Sequence, residues 1–185
     1  MRYASITYAA RTILGPALVA LLLHWPATAP CAPIEEHQIK AAMLFNMIRF
    51  IDWPENGGSN GSKLITICIH GKSPLTDALR KLEGKQIRGK TIAISQARES
   101  ANYQSCQLLA AGQKDHQLLQ AALAQTRSLA LLTVGEARGF AESGGVIGLF
   151  IRNERVRFEI NLAAARRHKL RISSKLLKLA DHVYE

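Results

Sequence analysis

Strand-length apolar runs alternate with helix-length amphipathic stretches through the middle of the chain, and this alternation constrains the fold most. Residues 64–70, 91–95, 106–111 and 128–134 have the composition of strands. The last of these, SLALLTV, shows no polar alternation, which is typical of a strand covered on both faces. Strands that alternate with helices indicate βαβ units. The pattern therefore predicts a mainly parallel sheet with helices on both faces.

Two helices are predicted between these strands. Ser73 and Pro74 form a capping pair that begins a helix running through Leu82, because serine caps a helix and proline fits its first turn. Residues 115–125 carry apolar side chains at helical spacing, namely Leu118, Leu119, Ala122 and Leu123. Each predicted helix follows a strand, as the crossover connections of a parallel sheet require.

The last third of the chain changes to an antiparallel pattern. Residues 146–151 and 155–160 flank a polar turn, and the second run alternates apolar with charged residues, which predicts a hairpin. Asn161 is placed to cap a short helix, and Ser173 a final helix whose apolar stripe is Leu176, Leu177, Leu179, Ala180 and Val183. The predicted fold class is a single α/β domain with a five- to six-stranded sheet and a C-terminal hairpin–helix unit.

Residues 1–31 have the organisation of a secretory signal peptide. Two arginines precede an apolar run at residues 13–23, which is shorter than the ~20 residues that span a bilayer, and small residues follow it. Cleavage is expected near residues 29–32, with two alternative positions open. We therefore expect export to the periplasm and one α/β domain over residues 32–185.

The chain is basic, with a formal net charge of +10 at pH 7. Such a charge suits nucleic acid, an anionic membrane or acidic ligands as partners. Export argues against nucleic acid, and the basic residues are spread along the chain with few aromatic residues between them. A solvated basic surface and a dedicated anion-binding face both stay open.

The three cysteines matter because an exported chain folds in an oxidising compartment. Cys31 leaves with the signal peptide if cleavage follows it, and Cys68 and Cys106 then remain as an even pair. We expect a disulfide between these two, which the chain-entropy model values at about 3 to 4 kcal/mol for a loop of this length. Two separate buried thiols are the alternative.

The stretch KAAMLFNMIRFIDWP, residues 40–54, is predicted to be the first helix of the folded domain. Phe45, Ile48 and Arg49 lie partly off the face that the other apolar residues of the stretch would bury. Together with Trp53 they are candidates for an exposed patch that contacts a partner protein. Burial of the apolar members between two layers explains the same pattern, so both interpretations stay open.

A basic segment after the hairpin is the best candidate for a ligand site. Arg167, His168 and Arg171 are placed to contact a phosphate or a carboxylate. Ser173 begins a helix whose free N–H groups attract anions. The alternative is that these basic side chains favour a helix C-terminus and stay hydrated.

The sequence contains no catalytic motif. It has no nucleophile elbow, no glycine-rich phosphate loop before a helix and no zinc-protease motif. Glu35, Glu36 and His37 have metal-binding side chains, but a solvated first turn of a helix is the preferred interpretation. Asp52 beside Trp53 is expected to be an exposed acid rather than a general acid. We predict a protein without catalysis, cofactor or metal.

Three blocks of the sequence resemble the YfiR family of periplasmic regulatory proteins. They are residues 40–54, the segment ITICIHGKSPL at residues 65–75, and residues 144–180, which contain GGVIGLF and VRFEINLAAARRHKLRISSKLLKLA. The resemblance covers essentially the whole chain after the signal peptide. It implies a small α/β protein that binds the periplasmic part of a membrane-anchored GGDEF diguanylate cyclase and holds it inactive, which lowers cyclic di-GMP and biofilm formation.

The resemblance has further implications for sites and partners. It implies that Cys68 and Cys106 form a structural disulfide that supports the repressing state. It leaves room for a small anionic or aromatic ligand, which we carry over only to Arg171, and a homodimer is left open. The alternative function is a small-ligand-binding module in the periplasm that serves another sensor, such as a histidine kinase.

Overall fold

A mixed sheet of eight strands organises the described part of the chain. The computed structural model describes residues 35–54, 62–97 and 103–185, which lie in one unit, Ile34–Glu185. The predicted signal peptide lies outside these residues. In chain order the strands are β1 (Ile51–Asp52), β2 (Leu64–His70), β3 (Gln86–Ile87), β4 (Lys90–Gln96), β5 (Leu108–Ala111), β6 (Leu132–Gly135), β7 (Ile147–Arg152), β8 (Arg155–Asn161), β9 (Arg171–Ile172) and β10 (His182–Tyr184).

The centre of the sheet is parallel. The spatial order is β10-β8-β7-β6-β5-β2-β4-β3, and β1 pairs separately with β9. Strands β7, β6, β5, β2 and β4 run parallel to one another, whereas β3 is antiparallel to β4 and β8 to β7. The predicted mainly parallel sheet and C-terminal hairpin are confirmed. The short strands β3 and β10 extend the sheet at its two edges beyond the predicted strands.

Helices cover both faces of the sheet, as predicted. Successive residues of β2 alternate between two buried clusters because strand side chains alternate in direction. Ile67 packs in one cluster with Leu44 and Leu79, and Cys68 packs in the other with Leu119. The helices that supply these side chains, together with the two C-terminal ones, are α1 (Glu36–Met47), α2 (Pro74–Arg80), α3 (His116–Thr126), α4 (Leu162–Arg167) and α5 (Ser174–Leu177).

The predicted helix caps are present. Ser73 Oγ accepts a hydrogen bond of 3.2 Å from the Thr76 amide at the start of α2. Asn161 Oδ1 accepts one of 2.7 Å from the Ala164 amide at the start of α4, and Ser173 caps α5 in the same way. These side chains satisfy backbone donors that a helix start leaves unpaired, so the helix starts follow from local sequence.

The predicted first helix, residues 40–54, is wrong at its C-terminal end. α1 ends at Met47, a 3-10 turn follows over Ile48–Phe50, and Ile51 has extended backbone angles of φ −121° and ψ 128°. Ile51 pairs antiparallel with Ile172, which forms the ladder between β1 and β9. Ile51 is fully buried in this strand. Its apolar side chain fitted the helical spacing of the sequence, although its backbone is extended.

Two further boundaries differ from the prediction. The strand expected at residues 128–134 begins only at Leu132, because the residues before it form a turn after α3. The final helix has four residues, and Val183 lies in β10 instead of on a helical stripe. β10 pairs with β8, and this pairing with a strand from elsewhere in the sequence overrides the local helical pattern.

Candidate functional site

The carboxyl ends of the parallel strands form a crevice at the point where the strand order reverses. The chain leads from β2 through α2 to β4 on one side of β2, and then to β5 on its other side. The connections that leave β2 and β5 therefore diverge, and ligands of open α/β sheets bind outside the strand ends at such a switch point. A ligand site is therefore expected at the loops that follow β2, β5 and β6.

A cleft of about 830 Å³ lies at this edge of the sheet. We call it the switch-point cleft. Its walls come from α1, from the loops after β2, β5 and β6, from β7 and β8, and from the residue before β10. They consist of Glu36, His37, Lys40, Lys72, Ser73, Pro74, Gln113, Lys114, Glu136, Arg138, Gly139, Phe150, Ile151, Arg152, Glu159 and Asp181.

Two glycines allow the loops after β2 and β5 to pack closely beside the cleft. A Cβ on Gly112 would collide with Ser73 Oγ, and a Cβ on Gly71 would collide with the Asp115 carboxylate. Gly71 also has a φ of +65°, which side chains other than glycine rarely adopt. The cationic residues that follow these glycines are therefore held on two neighbouring loops.

A buried ion-pair cluster forms the wall where α1 meets the end of β6. Lys40 Nζ donates a hydrogen bond of 2.7 Å to Glu136 Oε1 and also contacts the Glu36 carboxylate, one turn earlier in α1. The side chains of Lys40 and Glu136 are each 6% exposed. Burial alone would lower the pKa of Lys40, but the hydrogen bonds to Glu136 and Glu36 raise it above its usual value. Charged Lys40 therefore attaches α1 to the sheet edge.

The same cluster includes residue types that bind metals. Ligand atoms of Glu36, His37 and Glu136 lie within 4.8 Å of one another, and His37 Nδ1 is 3.4 Å from Glu136 Oε1. The Lys40 ammonium contacts both carboxylates, so it already supplies the positive charge that a metal ion would bring. Glu35 and Glu36 are exposed at the start of α1, and Glu136 is the member that sequence spacing missed.

Cys68 and Cys106 form a disulfide, as predicted. Their Cα atoms are 5.8 Å apart and both side chains are buried. The bond joins β2 to the segment just before β5, on the face covered by α3. It therefore connects the two strands whose following loops diverge at the switch-point cleft.

Of the four residues predicted to bind a ligand, one is buried in the core and three lie at or near the surface. His168 is 3% exposed and its Nδ1 donates a hydrogen bond of 2.9 Å to the Leu129 carbonyl oxygen. Burial lowers the pKa of His168, so it is a neutral core histidine and not an anion contact. Arg167 and Arg171 are exposed at the end of α4 and in β9, and the Ser173 hydroxyl is used as a cap.

The predicted partner patch on α1 is only partly exposed. Ile48 is fully buried in the 3-10 turn after α1, so for this residue the burial alternative holds and the proposed surface position is wrong. Phe45 is half-buried, and the Arg49 guanidinium lies 5.8 Å from the centre of its ring. Trp53 is also half-buried, and its Nε1 donates a hydrogen bond of 3.1 Å to the Gln107 carbonyl oxygen. Trp53 therefore anchors the segment after β1.

A second apolar surface, which the sequence interpretation missed, runs along α1. Ile39 is 42% exposed and Leu179 is 66% exposed. Both line a groove of about 580 Å³ that we call the α1 groove, lined by Gln38, Ile39, Ala42, Met43, Asn46, Met47, Phe50, Val156, Arg157, Phe158, Leu176 and Leu179. Its signal in the sequence is the apolar content of α1, which exceeds what one buried stripe requires.

Comparison with known protein families identifies the relatives of this chain. A family model described as YfiR/HmsC-like matches residues 37–181. The chain belongs to the YfiR/HmsC-like family. The matched range includes α1 from its second residue, both cysteines of the disulfide and the C-terminal hairpin–helix unit, so the family resemblance seen in the sequence is confirmed.

Among solved structures, this YfiR/HmsC-like chain is similar to a conserved domain protein from Vibrio cholerae O1 biovar El Tor. The TM-score is 0.54 at 12% sequence identity, over 81% of this chain and 60% of that chain, so the likeness shows the fold alone. No curated protein matches the chain significantly. Among the described residues, no helix is long and apolar enough to cross a membrane.

Proposed function

We propose that the chain is an exported, periplasmic repressor that binds the periplasmic part of a membrane-anchored GGDEF diguanylate cyclase and holds it inactive. Membership of the YfiR/HmsC-like family supports this proposal, because YfiR-like proteins are regulators rather than enzymes. The signal-peptide pattern of residues 1–31 supports export. In this proposal, bound repressor lowers cyclic di-GMP and biofilm formation, and its release raises both.

The α1 groove is the observation that carries the proposal. A protein that regulates by binding needs an exposed surface from which its partner can exclude water. Ile39 and Leu179 expose large apolar side chains, and both line one groove instead of being scattered over the surface. Arg157 lines the same groove and is exposed beside these apolar side chains. Such a groove suits an amphipathic helix of the cyclase with its apolar face turned inwards.

Part of the patch predicted from the sequence adjoins this groove. Phe45 lines a smaller pocket that shares Gln38, Ala42 and Asn46 with the α1 groove. Arg49 is exposed beside Phe45. We therefore include Phe45 and Arg49 at the edge of the proposed interface. Trp53 has a supporting role through its hydrogen bond to the backbone.

Capture of the purified periplasmic domain of the cognate cyclase tests this interface. Ile39→Glu and Leu179→Glu each place a carboxylate in the groove, and we expect each to weaken capture by about tenfold or more, because binding would desolvate an unpaired charge. Both positions are exposed, so the thermal midpoint should not change. Lys178→Glu is the matched control, since it changes an exposed residue next to Leu179 that does not line the groove.

The outcomes separate the groove from the function. If the unaltered protein captures the cyclase domain and both groove variants capture it equally well, the cyclase binds elsewhere on the surface. If the unaltered protein captures no cyclase domain, the proposed repression is wrong. A loss of capture in Lys178→Glu as large as in Leu179→Glu would indicate a general charge effect instead of a groove contact.

A second candidate function is a small-ligand-binding module that serves another sensor, such as a histidine kinase. The switch-point cleft favours it, because its position and size resemble those of ligand sites in α/β proteins. Affinity purification from membranes distinguishes the two candidates. Recovery of a GGDEF protein supports the repressor, whereas recovery of a sensor kinase supports the binding module.

A further inference from the structure

Three cationic side chains follow the central strands of the sheet. Lys72 comes after β2, Lys114 after β5 and Arg138 after β6, and all three line the switch-point cleft. Each is exposed, and within the part of the chain that the structure describes none of them forms an ion pair. Three like charges that face one cleft raise the local concentration of anions there.

The carboxylates of the cleft are engaged with other groups. Glu36 and Glu136 both contact Lys40 in the buried cluster. Asp181 Oδ2 lies 2.6 Å from a guanidinium nitrogen of Arg152, and Glu159 accepts a hydrogen bond of 3.2 Å from the hydroxyl of Tyr184. Over the whole lining, five cationic side chains meet four carboxylates, which leaves a net charge of +1 before His37 is counted. Within the described residues, none of these carboxylates pairs with Lys72, Lys114 or Arg138.

We infer that the switch-point cleft binds a small organic anion, with a carboxylate or phosphate head group held by Lys72, Lys114 and Arg138. A guanidinium can donate two parallel hydrogen bonds to either head group, and a lysine ammonium acts as a mobile point charge. Phe150 and Ile151 offer apolar contact to the body of the ligand. The cleft volume of about 830 Å³ falls in the range of small-molecule sites.

This site is distinct from the surfaces assigned to the partner. The α1 groove and the switch-point cleft share no lining residue. The inferred site also contains none of the residues predicted from the basic segment, Arg167, His168, Arg171 and Ser173. The inference goes beyond the proposed repression of a cyclase, and ligand binding is measured in the absence of the cyclase.

Isothermal titration calorimetry of the purified protein tests the inference with three matched probes. Hexyl phosphate, hexanoate and 1-hexanol share one apolar chain and differ in their head groups. At physiological salt we expect at least one of the two anions to bind, and 1-hexanol to bind at least about tenfold more weakly. Stronger binding of hexyl phosphate assigns the phosphate class, and stronger binding of hexanoate the carboxylate class. Binding of neither anion would overturn the inference.

Charge-removing variants test the location of the site. Lys114→Ala and Arg138→Ala should each weaken binding of the preferred anion by about five- to tenfold, since each removes a charge-assisted contact. Arg127→Ala and Lys178→Ala are the controls, because both residues are exposed and lie outside the cleft. Equal affinity in the cleft variants and the unaltered protein would overturn the assignment to this cleft, as would an equal loss in the controls.

Retention of the fold is checked independently. The two cleft residues are exposed and form no ion pair within the described residues, so circular dichroism and the thermal midpoint should be unchanged. The titration and the cyclase-capture assay are independent measurements. Failure of the anion site and failure of the proposed repression are therefore distinguishable.

Discussion

Lys40 in α1 and Glu136 after β6 are 96 residues apart in the sequence and are joined by a hydrogen bond of 2.7 Å. Their side chains are each 6% exposed, so the pair is shielded from most of the solvent. Lys40 lines the switch-point cleft, whereas its neighbour Ile39 lines the α1 groove. The pair therefore fixes the helix that separates the two candidate binding surfaces.

Removal of Lys40 should destabilise the protein substantially. Lys40→Met leaves Glu136 buried without its cationic partner, and we expect the free energy of unfolding to fall by about 3 kcal/mol. The double variant Lys40→Met with Glu136→Gln should recover part of this loss, because no unpaired charge is then buried. Urea denaturation of the single and double variants measures the coupling. Strictly additive losses would contradict a direct interaction between the two side chains.

The raised pKa of Lys40 predicts a loss of stability at alkaline pH. Its usual value is 10.5 and its folded value is higher, so the folded chain binds this proton more tightly than the unfolded chain does. The stability that protonated Lys40 contributes is complete below the pKa of the unfolded chain. It is lost as pH rises through the pKa of the folded chain. Denaturation midpoints measured across this window should fall less steeply in Lys40→Met than in the unaltered protein. The same slope in both proteins would assign alkaline unfolding to other groups.

Burial of His168 predicts a separate loss of stability at acidic pH. Its folded pKa lies below the usual 6.5, so the unfolded chain binds this proton more tightly. The stability that neutral His168 contributes is complete above pH 6.5 and decreases as pH falls from there towards the folded value. His168→Asn keeps a donor for the Leu129 carbonyl oxygen and should flatten the pH dependence in this window. An unchanged slope in His168→Asn would assign the acid sensitivity to other groups.

Loss of the disulfide should cost about 4 kcal/mol of unfolding free energy. Cys68 and Cys106 are 38 residues apart, and the chain-entropy model gives this value for a loop of that length. A double substitution to alanine and chemical reduction of the unaltered protein should lower stability by similar amounts. The alanine variant should not respond to reductant. A protein whose stability is the same before and after complete reduction would contradict a stabilising role of this bond.

The sequence predicted those parts of the fold that depend on interactions between residues close together in the chain. The strand at residues 64–70 coincides with β2, because apolar, β-branched side chains bounded by turn residues favour an extended conformation. The starts of α2 and α4 follow from Ser73 and Asn161, whose side chains pair with amides only three residues later. Sequence patterns were sufficient where the stabilising contact lies within one turn of the residue that makes it.

The remaining features depend on contacts between distant residues. Ile51 fits both a helical stripe and a buried strand, and its pairing with Ile172 decides the conformation. Ile48 fits both an exposed patch and the core, and packing decides that it is fully buried. The pairing of Lys40 with Glu136 has no local signal. The switch-point cleft could not be located until the order of the strands was known.

The central claim is that this protein represses a membrane-anchored diguanylate cyclase from the periplasm. The most direct test is the cyclic di-GMP content of cells that express the cognate cyclase, with and without co-expression of this chain. We predict a lower content with the unaltered chain and a content close to that of cyclase alone with Leu179→Glu at equal periplasmic abundance. An unchanged cyclic di-GMP content in the presence of abundant, folded, unaltered protein would contradict the account.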